Sequence, residues 1–365
     1  MIGIMKTKSL LLLLPLFLTG CLFSVNHPLV GPDGTIAVFL DEQGAYQLLL
    51  GGGALTLLRD GEAITLPATV VPEAGAVVDW SADGAGLLYV TQTFGEWGEP
   101  LRSALVRVAA DPAAQPTVLL ASDAPIRDAA YTADGRLVVL EFDGEVAGRL
   151  SLLDPEAGTA ESLFENALGF RMHFDRDALT VLCVDLDGPV PIGRVIAWDL
   201  GTDAGETVAR FVLEEEMLET FPVMSDTLLW DVDPSARFVA LAVTDHVMID
   251  PMIEDEVPAL LLIDVKGRTA IELAPMALMP AFSPDGRVLA YIGSDDGDTG
   301  VAMVQTIDPL IGPVGEAARV PGGEGAATCF WLAPTRLGLA FELEDDGYRV
   351  VAVDLDTGEM TDLFE

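Results

Sequence analysis

Lysine is almost missing from this chain. Only Lys6, Lys8 and Lys266 occur, and 19 basic residues face 58 acidic ones for a formal net charge of −39. A surface this negative repels phosphate backbones and anionic lipid headgroups, so nucleic acid is excluded as a partner and a basic protein or peptide is favoured. Histidine is equally scarce, at His27, His173 and His246, and cysteine occurs only as Cys21, Cys183 and Cys329. These counts leave no disulfide framework and no Cys/His spacing of a metal site. Cys183 (TVLCVDL) and Cys329 (ATCFWL) sit in apolar runs and read as small core residues. No sustained 3.6-residue period appears beyond the N-terminus, which argues against an α-rich fold. No G-x-S-x-G elbow or defensible acid–base pair is present, so no enzyme activity is expected.

The one long apolar run is near the start. Lys6 and Lys8 precede Ser9–Leu18, and Leu18-Thr19-Gly20-Cys21 closes the segment. The run is too short to span a bilayer comfortably and reads as a signal peptide. Its end resembles a bacterial lipobox, so residues 1–20 are expected to be removed and Cys21 lipidated, with either Met1 or Met5 as the start. Several acyl chains on Cys21 would anchor the domain to one leaflet. Leu22 rather than aspartate follows the cysteine, which favours the outer membrane, facing the periplasm, in a two-membrane cell and the cell surface otherwise. Residues 21–29 read as a linker and 30–365 as the folded domain.

That domain repeats itself. FSPDGRVLAYIGSDDG at Phe282–Gly297 has counterparts in GPDGTIAVF at Gly31–Phe39, SADGAGLLYV at Ser81–Val90 and TADGRLVVL at Thr132–Leu140. Weaker copies begin at Phe174, Val232 and Leu332, with turn anchors at Asp33, Asp83, Asp134, Asp177, Ser235, Asp285 and Pro334. Pro presets φ, Asp caps the turn and Gly accepts positive φ. The apolar run after each turn has strand length, and a second strand–turn–strand unit follows, as in RVVAVDLDTGEMTDLFE at Arg349–Glu365. Each unit is thus a four-stranded antiparallel blade, and the spacing predicts an all-β, seven-bladed β-propeller, or six blades with an N-terminal appendage.

The F-S-P-D-G-x-x-L-A core at Phe282–Ala290 and the apolar-D-L-x-T-G core at Val351–Gly358 resemble the TolB-type, WD40-like propeller repeat. The resemblance covers the mature chain and implies architecture rather than a particular activity. It departs from the type member, which has six blades and a preceding α/β domain.

In such a wheel the short Asp-Gly turns share one side, and the variable loops share the other, where specificity is expected. Phe94, Glu96, Trp97 and Glu99 in the loop Thr91–Leu101 are candidate partner contacts, as are His246, Asp250, Glu254, Asp255 and Glu256 in the loop Thr244–Pro258. The connector Leu213–Asp226 is acidic. No cofactor is expected; Asp295, Asp296 and Asp298 are the candidates for calcium, although they lack the spacing of a calcium loop. The expected function is a lipid-anchored binding or scaffolding module for a protein or peptide in the cell envelope. The alternatives are a channel-mouth enzyme of the calcium-dependent lactonase or lyase kind, and a passive acidic surface lipoprotein.

Overall fold

A computed structural model describes residues 28–40, 53–59, 62–66, 74–94, 100–142, 147–173, 175–186, 191–212, 230–250, 253–267, 269–294, 300–343 and 348–363. Every regular element among them is a strand, and all pairings are antiparallel between consecutive strands. Five sheets have four strands each: sheet A over residues 29–65, sheet B over 74–122, sheet D over 230–275, sheet E over 278–324 and sheet F over 326–362. Sheet C, over residues 126–212, has seven.

The odd count in sheet C comes from one strand, Thr159–Met172. Its first half pairs with Gly148–Asp154 and its second half with Ala178–Asp185. The change of partner falls around Asn166, whose φ of 58° is left-handed, a conformation that asparagine tolerates better than most residues.

Alternation explains how the sheets stack. On Gly86–Phe94, Leu87 and Tyr89 join the core shared with sheet A, while Leu88 and Val90 join the core shared with sheet C. The second strands are therefore buried on both faces, which is why they read as unbroken apolar runs. Phe39 of sheet A meets Tyr89 edge-on, with ring centroids 5.7 Å apart. Further cores lie between the two halves of sheet C, between D and E, and between E and F. The largest cluster holds residues of C and D around Trp230, and also Val38 and Leu40 of sheet A with Phe330, Ala340 and Val350 of sheet F. The first and last sheets thus share a core.

The first strands of the sheets form a hub. Leu29–Val30 touches Ala74–Trp80, which touches Ile126–Tyr131; Trp230–Val232 touches Leu278–Phe282, which touches Ala326–Ala333, and this last returns to Leu29–Val30. Indole N–H groups tie neighbours together here: Trp80 Nε1 donates to the Leu29 carbonyl at 3.2 Å and Trp331 Nε1 to that of Ala281 at 2.8 Å.

The Asp-Gly turn is built as its sequence suggests. In sheet B the Ser81 hydroxyl donates to Asp83 at 2.6 Å and accepts from the Gly86 N–H at 2.8 Å, while Gly84 sits at φ 68°. The fourth copy requires a correction. The His173 N–H bonds to the Ala178 carbonyl and the Arg176 N–H to that of His173, so the turn aspartate is Asp175 and not Asp177. Arg176 then occupies the glycine position, at φ 57°.

A second expectation also changes. Thr244–Pro258 is not an open loop: Phe238–Asp250 and Ile253–Asp264 extend as a hairpin in which His246 lies opposite Glu256 and Met248 opposite Glu254. Val247, Ile249, Ile253 and Val257 supply the β-branched residues that such a ladder favours.

Candidate functional site at the hub

Three of the seven copies carry a charged residue two positions before the residue that opens the turn, on otherwise apolar inner strands. These are Asp79 before Ser81, Arg171 before His173 and Asp231 before Asp233. With Asp128 and Arg176 they build two ion-pair networks on the turn side of the hub.

The first spans three units of the chain. Arg176 reaches from its turn in the second half of sheet C to Asp79 in sheet B, making a forked pair in which its second nitrogen lies 3.0 Å from Asp79 Oδ1. The same guanidinium donates to the carbonyls of Tyr131 at 2.9 Å and Trp80 at 3.2 Å. Asp79 also accepts the N–H groups of Tyr131 and Trp80, each at 2.8 Å. Burial pushes the Asp79 carboxyl up, and Arg176 with the two N–H groups pulls it back.

Arg171 centres the second network. It lies 3.4 Å from Asp231 and 3.7 Å from Asp128, so it links sheet D to the two halves of sheet C. It donates to the carbonyls of Phe170 and Trp230, and its guanidinium carbon sits 5.0 Å from the centroid of the buried Trp230 ring. Asp231 accepts the Phe282 N–H of sheet E at 2.8 Å. Burial pushes the Asp231 carboxyl up, opposed by Arg171.

Beside this hub, His173 Nε2 lies 3.0 Å from Thr180 Oγ1, and burial holds its imidazole below the usual 6.5 despite Asp175 and Asp233 nearby. His173 also borders an open hollow of about 370 Å³ on sheet C, with Trp198, Asp199 and Glu206 among its other lining residues. The Trp198 ring meets Phe164 edge-on at 4.6 Å.

The residues anticipated from sequence are placed unevenly. Phe94 ends its strand opposite Pro100. Glu96, Trp97, Glu99, Asp295, Asp296, Asp298 and Cys21 lie outside the described residues, as does the connector Leu213–Asp226. His246, Asp250, Glu254, Asp255 and Glu256 share the extended hairpin of sheet D. Among the described residues no three His, Cys, Asp or Glu side chains gather as a metal site, and no helix is long and apolar enough to cross a membrane. The hub charges were missed, although a charge two residues before the turn was a readable signal.

Neighbour sheets that share a core, hub strands in mutual contact and Asp-capped turns on one side define a β-propeller. No family model and no curated protein matches the chain. Among solved structures it is similar to an oligogalacturonate lyase in complex with manganese (TM-score 0.57, 12% identity, covering 94% of this chain and 86% of that one). It is also similar to the β-propeller domain of the Trilobed protease from Pyrococcus furiosus (TM-score 0.56, 12% identity, 94% and 96%). A puromycin hydrolase matches with TM-score 0.56 and 17% identity over 96% of this chain and 55% of that one. The likeness to these structures shows that the chain has the β-propeller fold.

These neighbours correct one expectation. The absence of enzyme activity does not follow, because a lyase and a hydrolase are built on this fold. The fold leaves catalysis open, and a recognisable acid–base pair in the sequence is not a precondition for it.

Proposed function

We propose that this chain is a seven-bladed, lipid-anchored propeller of the cell envelope that binds a basic protein or peptide. The blade count is supported by sheet C: when Thr159–Met172 is assigned to two sheets, each of seven units has four strands. Closure is supported by the core that sheets A and F share. The lipid anchor rests on Leu18–Cys21 and the removal of residues 1–20, and the outer membrane is its destination in a two-membrane cell.

The observation that carries the binding function is the turn side of the hub. Inter-sheet ion pairs hold that surface rigid, and an acid-rimmed hollow opens next to it. Rigid, preorganised surfaces lose little entropy on binding, and the acidic field steers basic partners toward them. The test uses intact membranes carrying the full chain with a photoreactive residue in place of Thr202, on the turn side, or of Trp97. An enriched basic protein cross-linked from Thr202 supports the proposal; no enriched partner from either site at physiological salt refutes it. Incorporation of labelled fatty acid, lost in Cys21→Ser, tests the anchor.

A further inference from the structure

We propose that the hollow on sheet C is a receptor for one lysine side chain of the partner, an inference that rests on the basic-partner function above. The hollow originates in residue choice. Register places Ala178, Asp199 and Ala204 side by side across three strands, with Thr180, Ala197 and Glu206 in the next row on the same face. That face carries alanine methyls where bulk would normally pack. In sheet D the position equivalent to Ala178 is Phe238, fixed by the matching bonds His173 N–H to Ala178 O and Asp233 N–H to Phe238 O. Phe238 is buried in the core between sheets D and E. An aromatic ring therefore fills one wedge, and alanine leaves the other open.

The chemistry of the rim is specific. Asp199 accepts the N–H groups of Gly201 and Thr202 at 2.9 and 2.8 Å, and these bonds hold its carboxyl below the usual range, so it is ionised. Glu206 lines the same hollow. His173 is neutral at pH 7, since burial keeps it below 6.5, and does not repel a cation. A methylene stem laid along Ala178, Ala197 and Ala204 would bring its terminal charge to the two carboxylates, the way long cationic side chains ordinarily divide between apolar and polar surroundings. The net charge of −39 raises the local concentration of such cations.

The experiment titrates the full chain with fluorescein-labelled tetralysine, and separately with the tetra-(Nε-acetyl-lysine) peptide, at physiological salt. Ala178→Phe refills the hollow with the side chain used in sheet D; Glu206→Gln removes a rim charge; Glu161→Gln removes a charge from an exposed position elsewhere. Tetralysine binding is expected to weaken about tenfold in Ala178→Phe and in Glu206→Gln, to be unchanged in Glu161→Gln, and to be absent for the acetylated peptide. Wild-type affinity in Ala178→Phe, or equal losses in Glu206→Gln and Glu161→Gln, overturns the receptor and leaves only a diffuse acidic surface. The two proposals fail separately. A partner captured from membranes equally well by wild type and Ala178→Phe refutes the lysine receptor while the binding function stands. Hollow-dependent tetralysine binding with no captured protein refutes the partner while the receptor stands.

Discussion

Replacing Arg176 separates two effects that the fold has put on one residue. Its guanidinium holds Asp79 and the Trp80 carbonyl of sheet B and the Tyr131 carbonyl in the other half of sheet C, and its backbone sits at φ 57°, where the other clear turn copies have glycine. Arg176→Ala removes the charge and keeps the backbone penalty; Arg176→Gly removes both. Breaking a buried ion pair from one side costs about 3–5 kcal/mol. The side chains of Arg176 and Asp79 are 23% and 14% exposed, so screening places Arg176→Ala near the lower end, at about 3 kcal/mol. A non-glycine residue in the left-handed region costs about 1 kcal/mol, so Arg176→Gly should lose only about 2 kcal/mol. The assay is equilibrium urea unfolding followed by both tryptophan fluorescence and circular dichroism, with coincident transitions required before free energies are compared. Losses below about 1 kcal/mol in both variants would refute the clamp. Arg176→Ala more stable than Arg176→Gly would refute the backbone argument even if the clamp survived.

Ala236, at φ 53° in the corresponding turn of sheet D, bonds nothing through its side chain, so Ala236→Gly is expected to stabilise by about 1 kcal/mol in the same urea assay. Burial pushes the thiols of Cys183 and Cys329 up to about 12, so neither should react with an aromatic disulfide reagent at pH 8 until denaturant is added. His173 should titrate below 6.5 by NMR. Because the folded value is depressed, its contribution to stability is complete above pH 6.5 and declines as pH falls through the folded value; a titration at or above 6.5 contradicts the burial described for it.

Most of the architecture was legible because it depends on local chemistry that repeats. Asp-Gly turns and apolar runs of strand length recur often enough to identify the blade without any long-range information. The hub was less legible. Asp79 and Arg176 lie 97 positions apart, and nothing local in D-W-S or F-D-R-D announces that the two side chains meet. Arg176 hid for a second reason: it stands in a glycine's place, which shifted the apparent anchor of that copy to Asp177. The hairpin of sheet D was read as a loop because its acidic residues suggested solvent, while the alternate β-branched residues that pair the two strands were passed over. The hollow was beyond reach, since it consists of missing bulk, and Ala178 acquires meaning only when it is aligned with Phe238.

The shared strand Thr159–Met172 has a mechanical consequence. Elsewhere among the described residues, successive sheets meet through packed side chains and through side-chain bonds such as Trp331 Nε1 to the Ala281 carbonyl and Arg176 to Asp79. Between the two halves of sheet C one continuous strand, Thr159–Met172, is paired on both sides of the boundary, so these units should move as one stiff sector. Amide protons of Ala167–Met172 should then be among the slowest to exchange.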